Sequence, residues 1–198
     1  MGYNEKYYKR HLDQYRLWQN NVGKSIVENF EANSILDLGC GVGSYLEGAK
    51  QSGCSDIMGI ELNYDKAKNY MVDEVKNNIK KGDITSNLNI DKQFDCCISF
   101  EVAEHIVPEG TEGFVKNLTE HSKKYIILSA APPGQPGTGH INLKPQHFWI
   151  DKIQENNFLY KASLISEYKK IWQELEETPG NKYKNWVLRN LMIFERKK

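Results

Sequence analysis

Residues 34–43 read Ser-Ile-Leu-Asp-Leu-Gly-Cys-Gly-Val-Gly, and no other stretch restricts the chain's possible folds as much. A short apolar run stops at Gly39, Gly41 and Gly43, and the segment from Ser44 to Gln51 suits a helix. Glycine lets the backbone turn tightly and approach a ligand, because no Cβ stands in the way. Strand, glycine turn and helix in that order form the nucleotide-binding crevice of doubly wound α/β folds. Such a turn also occurs for purely structural reasons, so the reading depends on the rest of the chain.

The alternation continues. Asp56 to Leu62 reads as a second strand, and Asp65 as the N-cap of a helix to about Asn77. Asp83-Ile84 lies on a short third strand or its exit loop, and Phe94 to Phe100 reads as a fourth strand. Thr111 to His121 suits a helix and Tyr125 to Ala130 a fifth strand. Strands alternating with helices imply a mostly parallel sheet covered on both faces, an α/β Rossmann-like fold. Before this block, residues 4–30 space their apolar positions helically, as two helices or one bent one. After it, residues 131–139 are too rich in proline and glycine for a regular element. Helices follow over about 146–156 and 163–176, and Val187 to Glu195 reads as a closing strand.

Size and composition narrow the function. A chain of 198 residues fits one domain with a full core. Residues 1–33 form an N-terminal helical segment packing on or capping the core domain of residues 34–198. Lys+Arg and Asp+Glu are both 26, whereas a dedicated duplex binder shows a basic excess, so nucleic acid is disfavoured as a partner. No apolar run reaches the length of about 18 residues that a membrane span needs. The polar, aromatic N-terminus lacks a signal-peptide core. Cys40, Cys54, Cys96 and Cys97 form no C-x-x-C pair and read as buried thiols of a reducing cytosol, which points to a cytoplasmic protein.

Three acids then define the ligand. Asp37 sits two residues before Gly39, where its carboxylate suits a cationic amino group and would repel a pyrophosphate. Glu61 ends the second strand 18 residues after Gly43, placed to accept from both hydroxyls of a ribose. Asp83 can accept from an adenine amine while Ile84 covers the ring. Ser44 fits a dinucleotide fingerprint poorly, and no G-K-[ST] follows the glycines. Partners for an amine, a ribose and an adenine, with no phosphate cradle, describe S-adenosylmethionine (SAM).

With these residues in view, the chain resembles the class I SAM-dependent methyltransferases. ILDLGCGVG looks like their first motif, MGIEL their second and KGDI their third. FDCCISFEVAEHI is similar to the fourth-strand segment of small-molecule members with a strand-end E-V-x-E-H. The resemblance is specific over residues 34–130 and looser beyond, where NLMIF looks like the closing antiparallel strand. It implies a seven-stranded sheet in the order 3-2-1-4-5-7-6. It also implies a cofactor site of Asp37, Gly39, Cys40, Gly41, Gly43, Glu61, Leu62, Asp83, Ile84, Phe100 and Glu101, the last two on the methionine side.

Methyl transfer is a displacement that depends on positioning and water exclusion, so it needs no fixed catalytic signature. A hydroxyl acceptor also benefits from a general base. Two segments can supply one. Glu104 and His105 follow the fourth strand, His105 either as base or as a brace for the loop. His140 lies past the glycine-rich loop, either as a base near neutrality or as a hydrogen-bonded pin for that loop. His147 beside Phe148 and Trp149 reads as a helix start packed on the sheet. His140, His147, Glu101 and Glu104 could hold a metal, but their spacing matches no specific site, so none is expected. The N/D-P-P-Y/F segment of nucleic-acid amino-methyltransferases is absent after the fourth strand, where Ser99-Phe100-Glu101-Val102 stands. Tyr3, Tyr7, Tyr8, Tyr15 and Trp18 either cap the acceptor pocket or pack on the sheet. The expected reaction is methylation of a small molecule or glycan sugar, at oxygen before nitrogen. The alternatives are a methyltransferase acting on protein or RNA, and a non-catalytic SAM-binding protein.

Overall fold

A computed structural model describes residues 5–175 and 182–198. Strands β1 (Ser34–Leu38), β2 (Asp56–Glu61), β3 (Ile79–Lys81), β4 (Phe94–Phe100), β5 (Ser122–Ser129), β6 (Phe158–Tyr160) and β7 (Leu191–Arg196) form one sheet. Its order is β3-β2-β1-β4-β5-β7-β6, as the resemblance implied. The first five strands are parallel, and β7 runs antiparallel to both β5 and β6.

Alternation along each buried strand divides the core between two faces. Ile35, Cys96, Ile98 and Ile127 point to one side. Leu36, Cys97, Ile126 and Leu128 point to the other. The first face carries helices α1 (Glu5–Arg10), α2 (Arg16–Phe30) and α3 (Ser44–Gln51), with a π-helical turn, His11–Tyr15, between the first two. Buried Trp18, Val22, Ile26 and Leu46 fill that side, joined by Trp172 of α8 (Ala162–Glu174). The indole N–H of Trp18 donates to the Trp172 carbonyl at 3.0 Å, and that of Trp172 donates to Ser25 Oγ at 3.0 Å. The second face is covered by α6 (Thr111–His121) and α7 (Gln146–Gln154), with Phe114 and Trp149 wholly buried. The four cysteines are buried and unpaired. Among the described residues, no helix is long and apolar enough to cross a membrane.

Helices α2 and α3 approach closely because both contact points are glycines. A Cβ on Gly48 would lie 1.8 Å from the Asn20 carbonyl oxygen, and one on Gly23 would lie 2.0 Å from that of Tyr45. Arg16 clamps the same pair through two bonds to Glu47, at 2.9 and 2.6 Å. Since α3 starts directly after the glycine turn, this packing sets the position of the loop.

Several local expectations change. The helix expected from Asp65 to about Asn77 is two single turns, α4 (Tyr64–Ala67) and α5 (Asp73–Lys76). Asp65 is not the cap. Asn63 holds that position, and the Asp65 carboxylate pairs instead with Lys81 and Lys68. The closing strand begins at Leu191, because Val187–Asn190 finish helix α9 (Lys182–Asn190), whose apolar spacing is also compatible with a strand. The resemblance implied a strand at the place of β6 in the sheet, but local pattern did not locate it, because it is only three residues long. Tyr3 and the expected helix end at Glu176 lie outside the described residues.

Candidate active site

The carboxyl ends of β1, β2 and β4 converge on one cleft. Gly39, Gly41 and Gly43 all have left-handed backbones, with φ of 85°, 56° and 86°. A Cβ at Gly39 would strike Val102, and one at Gly43 would strike Val75 and Ile79. Above Gly41 nothing lies within 4 Å of a Cβ position, so the turn opens there. Around this opening stand Asp37, Gly39, Cys40, Gly41, Phe100 and Glu101, all expected from sequence. Tyr7, His11, Gln19, Val42, Tyr45 and Val102 complete the lining, and the remaining cavity is only about 40 Å³.

The acids in this cleft lack cationic partners. Asp37 is buried, and its Oδ2 accepts no hydrogen bond among the described residues. Burial, and next the charge of Glu61, push its carboxyl well above the usual carboxylate range. Glu61 is also buried and shifted upward by desolvation, although its Oε2 accepts from the Gly41 N–H at 3.0 Å and its Oε1 from the Asn63 N–H at 2.8 Å. Each oxygen thus accepts one N–H of the surrounding loops. An amino group or sulfonium near Asp37 and hydroxyls at Glu61 would satisfy both acids, so the residues fit SAM.

Other expected residues lie elsewhere. Gly43 caps α3. Leu62 is 58% exposed, and Ile84 is buried in the core with Leu36, Leu38 and Ile60. Asp83 is exposed, with Oδ1 accepting from the Thr85 N–H at 2.9 Å and hydroxyl at 2.6 Å. It lines a separate hollow of about 440 Å³ at the β3 edge, on which neither Asp37, Glu61 nor the glycine turn opens. Volume therefore does not locate the site. The convergence of buried acids without cationic partners does.

Beside the cleft the chain leaves β4 through Glu101, whose left-handed φ of 54° costs a non-glycine residue about 1–3 kcal/mol. The conformation is held from three sides. The Glu101 N–H donates to the Ser129 carbonyl and hydroxyl, at 3.0 and 3.1 Å. Its carboxylate accepts from Gln135 at 2.8 Å and from Asn190 at 3.0 Å, and the Asn190 amide also donates to Gln135 at 2.8 Å. Gln135 and Asn190 were not singled out from sequence. They lie 34 and 89 residues from Glu101, and no local pattern announces such a contact.

One turn further, Glu104 is 1% exposed and neither carboxylate oxygen has a hydrogen-bond partner. Desolvation, and secondarily the Glu101 charge, push its pKa up to about 8. The glycine-rich loop folds back over it. The N–H groups of Ile141 and Asn142 both donate to the Glu104 carbonyl, at 2.9 and 3.0 Å. His140 places its Nε2 3.9 Å from Glu104 Oε1, and the rings of His105 and His140 meet with centroids 4.9 Å apart. His105 Nδ1 lies 3.1 Å from the Gly139 carbonyl oxygen, and His140 Nδ1 lies 3.2 Å from that of Gln135. Burial pulls the pKa of His105 down to about 4, keeping it neutral. The three residues expected to be catalytic from sequence thus meet in one cluster, with Glu104 buried and both histidines half-buried. His147, expected at a helix start, sits in the first turn of α7.

A family model described as a methyltransferase domain matches residues 8–131. The chain belongs to this family. Its members with this fold are the class I SAM-dependent methyltransferases, and their cofactor is SAM. The mitochondrial ubiquinone biosynthesis O-methyltransferase of Dictyostelium discoideum is 27% identical over 109 residues, covering 48% of this chain and 34% of that protein. The chain thus spans about a third of that relative's length. The sugar N-methyltransferase KedS8 of Streptoalloteichus shares the fold at TM-score 0.68 and 12% identity, over 100% of this chain and 94% of that one. The magnesium protoporphyrin IX methyltransferase of Synechocystis, solved with bound S-adenosylhomocysteine, matches at TM-score 0.60 and 16% identity, over 93% and 84%. In this chain the family match spans the glycine turn, Asp37, Glu61, Asp83, Glu101, Glu104 and His105, and stops short of His140.

Proposed function

We propose that this methyltransferase transfers the methyl group of SAM to a hydroxyl oxygen of a small molecule or sugar. The observation that carries the reading is the cluster of buried Glu104 with half-buried His105 and His140 directly beyond Glu101 on the methionine side of the cleft. When bound, SAM supplies an electrophilic methyl on a sulfonium. Asp37 accepts from its amino group and Glu61 from the ribose hydroxyls. Tyr7, His11 and Gln19 cover the methionine end and keep water from it. On the acceptor side, a hydroxyl must be oriented and made ready to lose its proton as the methyl arrives. Glu104, His105 and His140 are polar side chains gathered there on braced backbone, and they hold that oxygen. A methyl-transfer screen with labelled SAM over pooled metabolites, sugars, peptides and RNA tests the reading. Label is expected in hydroxylated metabolites or sugars. Transfer confined to peptides, RNA or amines would overturn it.

A further inference from the structure

We propose that Glu104, His105 and His140 bind a divalent transition-metal cation at the acceptor edge of the sheet. The donors come from two segments, the turn after β4 and the end of the glycine-rich loop, and their ligand atoms all lie within 4.8 Å of one another. Two features of the cluster point to a cation. The first is Glu104, a buried carboxylate whose two oxygens have no hydrogen-bond partner among the described residues. A buried carboxylate left unpaired is costly, and buried charges are ordinarily paired or metal-bound. The second is the orientation of both imidazoles. Each directs Nδ1 at a backbone carbonyl, Gly139 for His105 and Gln135 for His140. A carbonyl only accepts, so each ring donates from Nδ1. Metal-ligating histidines are held in that way, with the second nitrogen donating to an outer carbonyl or carboxylate.

The spacing suits a first-row cation. His140 Nε2 and Glu104 Oε1 are 3.9 Å apart. Metal–ligand distances of about 2.0–2.1 Å place two tetrahedral ligands about 3.4 Å apart, so the pair closes by about half an ångström on binding. The loop backbone needs no change, because Ile141 and Asn142 already staple it to the Glu104 carbonyl. Space is limited around His140: a Cβ on Gly137 would lie 2.1 Å from its Nε2, so glycine is required for the ring to sit there. Two nitrogens and one carboxylate favour zinc, manganese, cobalt or iron over calcium and magnesium, which prefer all-oxygen shells. Three protein ligands leave a position open for an acceptor oxygen, whose proton the cation makes easier to remove. This last role rests on the proposed hydroxyl acceptor, while the metal site itself does not. Sequence spacing suggested no metal here because 35 residues lie between Glu104 and His140, which the fold brings to 3.9 Å.

The test uses the full chain after chelator treatment, titrated calorimetrically with Mn²⁺, Zn²⁺ and Mg²⁺, and with Co²⁺ followed by its visible absorption. One equivalent of Mn²⁺, Zn²⁺ or Co²⁺ is expected to bind, with Mg²⁺ at least about tenfold weaker. Glu104→Gln and His140→Gln should each weaken binding by about tenfold or more, as S-adenosylhomocysteine binding reports an intact fold. No binding of any of these ions to the wild-type chain would overturn the proposal, as would stoichiometric binding that survives both substitutions. A chain that binds metal yet methylates only amines refutes the hydroxyl acceptor and leaves the metal site standing. Hydroxyl methylation by a chain that binds no metal refutes only the metal site.

Discussion

Replacing Glu61 by glutamine tests the cofactor site at its most constrained side chain. The carboxylate accepts from the N–H groups of Gly41 and Asn63, at 3.0 and 2.8 Å, one on each oxygen. A glutamine amide of the same shape has one accepting oxygen and one donating nitrogen. Whichever way it turns, one backbone N–H faces a donor, and only one ribose hydroxyl meets the oxygen it needs. The binding loss is therefore about one hydrogen bond to a charged group, about 1.5–3 kcal/mol, which corresponds to a Kd increase of roughly tenfold to 150-fold. Stability should change little, because the lost bond to the loop is offset by removing a carboxyl that burial already disfavours in its charged form. Calorimetric titration with SAM and S-adenosylhomocysteine, beside a thermal melt, measures both. SAM affinity within about twofold of wild type, with the fold intact, would refute Glu61 as the ribose acceptor. A collapse of the melting temperature would instead make it chiefly a loop anchor.

Asp37→Asn should weaken SAM binding yet raise the melting temperature of the cofactor-free protein at pH 7. The folded pKa lies above the unfolded value of about 4, so the wild-type carboxyl costs stability as pH rises past that value. The gain should vanish below about pH 4, and melts across pH read it directly. Gly48→Ala should lower the melting temperature by about 2–8 °C. Overpacking of about 1–3 kcal/mol against the Asn20 carbonyl exceeds the gain in helix propensity of up to about 1 kcal/mol. An unchanged or raised melting temperature would mean that α2 and α3 separate freely. His140→Ala should lower kcat by roughly 10²-fold or more with SAM affinity nearly unchanged, checked by steady-state kinetics and calorimetry with an acceptor from the screen. Near-normal kcat would exclude the histidine from the chemical step.

The sequence by itself determined the fold class and the strand ends that form the candidate cofactor cleft. Apolar runs of period two ending at glycines or acids place the sheet, and its crevice must open where those strands end. Asp37, Gly39, Gly41 and Glu61 were therefore legible, because each is tied to the end of a strand that local pattern reveals. Adenine-side residues were less so. Asp83 turns back onto Thr85, and Ile84 sinks into the core, since a three-residue strand barely constrains the loop after it. The boundary near Val187 misled because its apolar spacing suits helix and strand alike, and packing against β5 decides where β7 starts. Only the tertiary structure could close the acceptor side. Glu101 meets Asn190, and Glu104 meets His140, through a loop whose proline and glycine composition shows that it turns without showing where it returns. Hydrogen bonds from Ile141 and Asn142 to the Glu104 carbonyl decide that return, and neither end of that contact carries a local signal of the other.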